Sequence, residues 1–170
     1  IAAKTAEALR VMNQKIRDRE LHKSYLCVAC GHVRPRDGRI KNYILRHESE
    51  HRVSVHDHPV AGARTAITQY RVLNETPELS LVECDLITGR THQLRLHCAA
   101  IGHPLTGDWL YGTENPALIP RPALHSRALR LRHPVTGELL TLTAVPDHAS
   151  RQAMIKAASS CHSHVFGAEA

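Results

Sequence analysis

Ten consecutive positions concentrate the reactive side chains of this chain: Thr88-Gly89-Arg90-Thr91-His92-Gln93-Leu94-Arg95-Leu96-His97. Two guanidiniums, two imidazoles and an amide in one stretch are suited to holding a carboxylate or a phosphate. A planar guanidinium does so through two parallel donors. The apolar run from Leu79 to Ile87 leads in and has the character of a strand. Gly89 offers the flexible turn that a strand-to-helix switch needs. Thr91 suits an N-cap, and Leu94, Cys98 and Ile101 recur at helical spacing. Gly102 and Pro104 stop the helix. The pattern therefore predicts a strand–turn–helix unit with Arg90 and Arg95 at the helix start, where the dipole favours an anion. A solvated helix start with ordinary surface arginines fits the same spacing.

The elements around this unit follow from periodicity. Thr5 can cap a helix to about Glu20, with Leu9, Met12 and Ile16 as its inner stripe and basic side chains on its outer face. His22-Lys23-Ser24-Tyr25 opens a strand that runs through Leu26-Cys27-Val28-Ala29-Cys30. Pro35-Arg36-Asp37-Gly38 is a turn, and Ile40 to Leu45 resumes an extended pattern. Residues His47 to Ala61 read as an irregular loop or loose hairpin. Gly62–Leu73 and Leu79–Leu86 form a hairpin that feeds the central stretch. Ala123–His133 and Leu139–Ala144 form a second hairpin across the Pro134–Glu138 turn. Pro146-Asp147 starts a last helix to about Ser159, and 160–170 is expected to be a flexible tail. The fold class expected is α+β: a mixed, largely antiparallel sheet with flanking helices, in one domain over 1–159.

Composition narrows the partners. The formal charge of +6 is uneven, because residues 1–50 hold eleven Lys/Arg against six Asp/Glu. A basic face near the N-terminus points to a polyanion, with simple solubility charge as the plainer alternative. Apolar residues make up 42% and aromatics only 4%, so the core must be mainly aliphatic. No apolar run is long enough to span a membrane, and the start has no signal-peptide pattern. Cys27 and Cys30 form a CxxC inside a strand, where positions three apart face opposite ways, and no second CxxC follows. Reduced core thiols in a cytoplasmic protein are expected rather than a metal site; a small zinc protein built on this pair is the competing idea.

The central stretch, followed by Ala99-Ala100-Ile101-Gly102-His103-Pro104-Leu105 and Gly107-Asp108-Trp109-Leu110-Tyr111-Gly112, resembles the third motif of RluA-type RNA pseudouridine synthases. Lys23-Ser24-Tyr25 resembles the second motif, and the likeness extends from about Ala3 to Pro146. The resemblance implies the pseudouridine synthase fold and isomerisation of uridine to pseudouridine in ribosomal or transfer RNA. It implies no metal and no other cofactor, and a chain acting as a monomer. By motif position, Arg95 is implied to pair with the catalytic aspartate and lower its pKa. Tyr25 is implied to stack on the target base. Arg90, His92, Gln93 and Lys23 are the expected RNA-binding residues.

One departure stands out. The family's catalytic aspartate lies in a His-Arg-Leu-Asp motif, and no such tetrapeptide occurs here. Ile1-Ala2-Ala3-Lys4 resembles the strand that follows that motif, and the chain begins with Ile1 rather than Met. The expectation is the C-terminal part of a synthase catalytic domain, inactive alone. None of Asp18, Asp37, Asp85 or Asp108 matches the nucleophile, and Asp108 is expected to be a turn residue. A non-catalytic RNA-binding module derived from the fold is the alternative.

Overall fold

Strand β5 (Leu79–Leu86) lies at the middle of the molecule because its side chains are apolar on both faces. Leu79 and Leu81 enter one core cluster, while Val82 and Cys84 enter another on the opposite side. Its neighbour β1 (His22–Cys30) divides in the same way, with Leu26 and Val28 on the first side and Cys27 and Ala29 on the second. A strand covered on both faces needs a layer on each, since alternate residues point to opposite sides.

The computed structural model describes residues 2–47 and 52–158. The other strands are β2 (Asp37–His47), β3 (Arg52–His56), β4 (Arg64–Glu75), β6 (Leu124–Arg132) and β7 (Leu139–Thr143). They form one seven-stranded sheet in the order β3-β2-β4-β5-β1-β6-β7. Every pairing among the described strands is antiparallel, in keeping with the largely antiparallel sheet expected. Three of the six neighbouring pairs, β2–β3, β4–β5 and β6–β7, are consecutive in the chain and joined by short connections, which favours that arrangement. Of the irregular loop or loose hairpin expected from His47 to Ala61, the hairpin forms, with β2 continuing to His47 and β3 pairing back onto it. Val53 fills a core position there, which gives the segment a reason to be extended. Residues 160–170, expected as a tail, lie outside the described residues.

Three helices flank the sheet: α1 (Ala6–Arg17), α2 (Gln93–Ala100) and α3 (His148–Ala158). Helix α3 brings Ala153, Met154 and Ala157 onto Leu79 and Leu81. The Asp147 carboxylate accepts the Ser150 N–H at 2.8 Å and so caps it. Helix α2 sends Leu94 and Cys98 into the opposite cluster, with Cys27, Val82 and Cys84. The Cys27 and Cys84 sulfurs approach to 3.9 Å there, whereas Cys30 sits against Thr106. The two thiols of the CxxC therefore go to different neighbours. Among the described residues no group of three or more His, Cys, Asp and Glu side chains is placed to hold a metal. No described helix is long and apolar enough to cross a membrane.

Helix α1 corrects one expectation. Thr5 caps it as expected, accepting the Ala8 N–H at 3.2 Å. Of the stripe Leu9, Met12 and Ile16, only Met12 is buried; the other two are each 52% exposed. The helix lies at the end of the sheet, where Leu21 and Leu131 offer a small apolar surface that one side chain covers. Met12→Ala is expected to cost about 3 kcal/mol of stability and Leu9→Ala less than about 1 kcal/mol, as read by urea unfolding. Equal losses would contradict this seating of α1.

Candidate active site

The turn from β5 into α2 is built by Gln93. Its Oε1 accepts the Thr88 hydroxyl at 2.8 Å and the Arg90 N–H at 3.0 Å. Its Nε2 donates to the Ile67 carbonyl and the Thr68 hydroxyl, each at 3.0 Å. All of this is buried, Gln93 being 2% exposed. Gln93, expected to bind RNA, is placed as a brace that ties the turn to β4, with its amide oxygen and nitrogen both engaged inside the protein. The helix also begins later than expected. Its N-cap is His92, not Thr91, with a left-handed backbone at φ 54° and no side-chain cap. Gly89 is not among the positive-φ residues. Its missing side chain instead leaves room for the Lys23 Nζ, which a Cβ would meet at 3.0 Å. The end is as expected, with Gly102 at φ +82° closing the helix.

Arg95 stands in the first turn of α2 and points at Asp108. Its Nε and Nη2 form a fork on the two carboxylate oxygens at 2.8 and 2.7 Å. Asp108 is wholly buried and Arg95 nearly so. The same carboxylate accepts the backbone N–H groups of Leu110 and Tyr111, each at 3.1 Å. Burial pushes the Asp108 carboxyl up, but the guanidinium and the two N–H donors outweigh it and hold it below the ordinary value. The guanidinium in turn lies 5.0 Å above the Tyr111 ring. The Tyr111 hydroxyl is 2.9 Å from the His92 Nδ1. Burial and the Arg95 charge lower the His92 pKa, against a smaller opposite pull from Asp108. Among the described residues, Arg95 Nη1 makes no hydrogen bond, so the outer edge of the guanidinium stays open for a second acceptor.

Asp108 is the residue the sequence undervalued. It is a turn residue as expected, yet it is also the partner of Arg95, which the sequence had led us to reserve for a carboxylate from outside the chain. Its place in Gly107-Asp108, with Tyr111 three residues on, was the available signal. Gly107 fixes that turn, with φ +74° and the Arg121 carbonyl 2.4 Å from where a Cβ would stand.

The other expected site residues fall into two places. Tyr25 is half-buried on the α2 side of β1, against the cluster that includes Leu94. Lys23, two residues earlier on the same side of β1, lines a cleft of about 320 Å³ with Arg17, Arg19 and Arg90. Arg90 donates from Nε to the Thr65 carbonyl at 3.1 Å. The Lys23 pKa is lowered by burial and then by the Arg90 charge, and that of Arg90 by burial and then by Arg64 and Arg19. No acid lines the cleft. Four cations lining one cleft without an acid among them give it a positive potential, which suits an anion.

A sequence profile described as RNA pseudouridylate synthase matches residues 1–100, more than half of the chain. The chain belongs to the RNA pseudouridine synthase family. A protein of Bacillus subtilis named uncharacterized RNA pseudouridine synthase YhcT is 40% identical over 149 residues, covering 85% of this chain and 47% of its own length. A ribosomal large subunit pseudouridine synthase D of Nitrosomonas europaea is 37% identical over 149 residues, covering 82% and 42%. The solved human RNA pseudouridylate synthase domain containing 1 superposes with a TM-score of 0.69 at 28% identity, over 85% of this chain and 62% of that one. The α+β architecture is thus that of pseudouridine synthase domains. The chain spans about half the length of the curated relatives it matches.

The last residue of the central stretch gives a test of the packing beneath this candidate site. His97 is fully buried, with Nδ1 2.9 Å from the Thr68 hydroxyl and Nε2 without a partner among the described residues. Burial pushes its pKa down to about 4. The unfolded chain then takes up a proton before the folded one as pH falls. Stability from this group is level above about pH 6.5, falls between about 6.5 and 4, and levels again below, by about 3 kcal/mol in all. Urea unfolding across that range should show the fall, and His97→Gln should remove that portion of it.

Proposed function

We propose that the chain is the C-terminal part of an RNA pseudouridine synthase that isomerises uridine to pseudouridine in ribosomal or transfer RNA. A segment not contained in these 170 residues supplies the catalytic aspartate. The reaction breaks the glycosidic C–N bond, turns the uracil and forms a C–C bond to the same ribose. No atom enters or leaves, so the chain must aim groups rather than deliver a reagent. The protein acts in the cytoplasm, as a monomer, with no metal or other cofactor.

The observation that carries this is the Arg95 guanidinium, fixed by Asp108 on one edge and open on the other. A guanidinium accepts two carboxylates on two edges, and a catalytic aspartate seated on the open edge would be held ionised and aimed. The cation already lies in place over Tyr111, so little reorganisation accompanies its use. Tyr25 stacks on the extruded uracil, which must leave its neighbours before any bond is broken. Lys23 and Arg90, with Arg17 and Arg19, hold backbone phosphates and set register without reading sequence. His92 meets the RNA from the rim, next to Tyr111. The name of the Nitrosomonas europaea relative supports a ribosomal substrate.

A second reading is favoured by one observation, the absence of a His-Arg-Leu-Asp tetrapeptide. On that reading the chain is an RNA-binding module without the chemistry. The 170-residue chain alone is expected to bind RNA and give no turnover under either reading. Turnover by the isolated chain would place the nucleophile inside it.

In protein that carries the upstream aspartate segment, Arg95→Ala should lower kcat by at least about a thousandfold and should also lower the melting temperature, because Asp108 is left buried without its cation; the Arg95→Ala, Asp108→Asn double variant, free of that unpaired charge, should be equally inactive. Arg95→Lys should rescue little, since an ammonium cannot hold two carboxylates in one plane. Normal turnover in either variant would contradict the role. The Lys23→Gln, Arg90→Gln double variant should weaken RNA binding and reduce the slope of log K against log salt by about 1 to 2. An unaltered slope would remove the cleft from the RNA path.

A further inference from the structure

Within the plane of the Arg95 guanidinium, the fork on Asp108 fixes where the open edge points. The tilt of that plane is a separate freedom. Two N–H···O bonds at 2.8 and 2.7 Å hold one edge, and the cation can still swing about the line through the two carboxylate oxygens. Such a swing lifts the open edge out of line. The Tyr111 ring is placed to stop it, with the guanidinium carbon over its face and 5.0 Å from its centroid. A cation is drawn to the negative π-surface of an aromatic ring, so the ring sets a preferred tilt as well as a floor.

Tyr111 is itself held from several sides. Its backbone N–H donates to Asp108 Oδ1 at 3.1 Å, the same carboxylate that grips Arg95. Its side chain packs against Ile44, Val53, Ala66 and Leu96, so strands β2, β3 and β4 back the ring. Its hydroxyl is 2.9 Å from His92 Nδ1, and the two rings meet edge-on with centroids 5.7 Å apart. His92 stands at the start of the helix that carries Arg95, on a left-handed backbone with φ 54°. Residues other than glycine adopt that backbone rarely. One ring thus joins the cation, the helix start and the β2–β3 hairpin. We propose that Tyr111 is a positioning residue of the isomerisation, its ring fixing the tilt of the Arg95 guanidinium so that the open edge meets the catalytic aspartate in plane. This rests on the reading that such an aspartate seats on Arg95. Tyr111 acts through Arg95 and not on the reacting atoms.

The test uses protein that carries the upstream aspartate segment and follows kcat, KM and the pH dependence of kcat. Tyr111→Leu removes the π-face and should lower kcat about a hundredfold, with a much smaller rise in KM. A misaimed guanidinium holds the aspartate less firmly in its ionised form, so the acid limb of the kcat profile should move up by about 1 pH unit. Tyr111→Phe keeps the face and loses only the His92 contact, and should stay within about fivefold of the parent rate. The Tyr111→Phe variant carrying one, two or three ring fluorines keeps the shape while draining the face of negative charge. Across that series kcat should fall stepwise and the acid limb should climb with it. The fluorinated rings retain the packing against Ile44 and Val53, so they decide the matter even if the leucine variant does not fold. Constant kcat across the fluorine series would overturn the positioning role. An acid limb that stays in place while kcat falls would overturn it too, as would a loss confined to KM, which would make the ring an RNA contact. With Arg95→Ala inactive, each of these results leaves the reading of Arg95 standing. Normal turnover in Arg95→Ala would remove that reading and this proposal together.

Discussion

The arrangement of this site depends on one buried carboxylate. Asp108 takes four hydrogen bonds, two from the Arg95 guanidinium and one each from the N–H groups of Leu110 and Tyr111. A desolvated ion pair is tolerable only when its geometry is good and its remaining lone pairs are used, and here both conditions hold. Thirteen residues separate the partners, so the pair joins the start of α2 to the turn after it. A guanidinium is rigid, and pinning one edge fixes the direction of the other. That is how a helix with little polar surface of its own can offer a directed cation.

Two kinds of positive charge therefore lie on the α2 side of the sheet. Arg95 is matched, and its charge is more secure for it. Lys23 and Arg90 are unmatched among the groups lining their cleft, and burial and mutual repulsion weaken their hold on protons. The first kind suits a fixed partner with defined geometry. The second suits a polyanion whose arrival relieves the repulsion. The division follows from position: Arg95 comes from a helix packed into the core, and the cleft cations from the rim where α1, β1 and the β5–α2 turn meet.

Much of the fold was legible in the sequence. The Leu79–Leu86 strand, the hairpin before it, the helix stop at Gly102 and the hairpin across Pro134–Glu138 rest on local patterns that tertiary contacts left unaltered. Thr5 caps α1 as its type predicts. What could not be read depended on partners distant in sequence. Leu9 and Ile16 have the right spacing for burial, but nothing in their own segment tells how little surface the sheet end offers them. Gln93 looked like a ligand-binding amide because its four partners come from β4 and from the turn behind it. Asp108 looked like a turn residue, and is one. Its second role needed the chain to bring the helix back over it. At β3 the polar pattern left both an irregular loop and a loose hairpin open, and pairing with β2 decides for the hairpin.

Gly107 ties the segment between Tyr111 and Ala123 to all of this. The carbonyls of Ile119 and Arg121 press on it from the far side, so the backbone of that proline-containing loop forms the floor beneath the acid. Length changes in the loop, which ordinarily pass unnoticed on a surface, would here tilt the floor and with it the guanidinium. A stretch with no reactive side chain assigned to it thereby acts as the levelling screw of the Arg95 guanidinium, and the spacing from Gly107 to Arg121 should tolerate little variation among related chains.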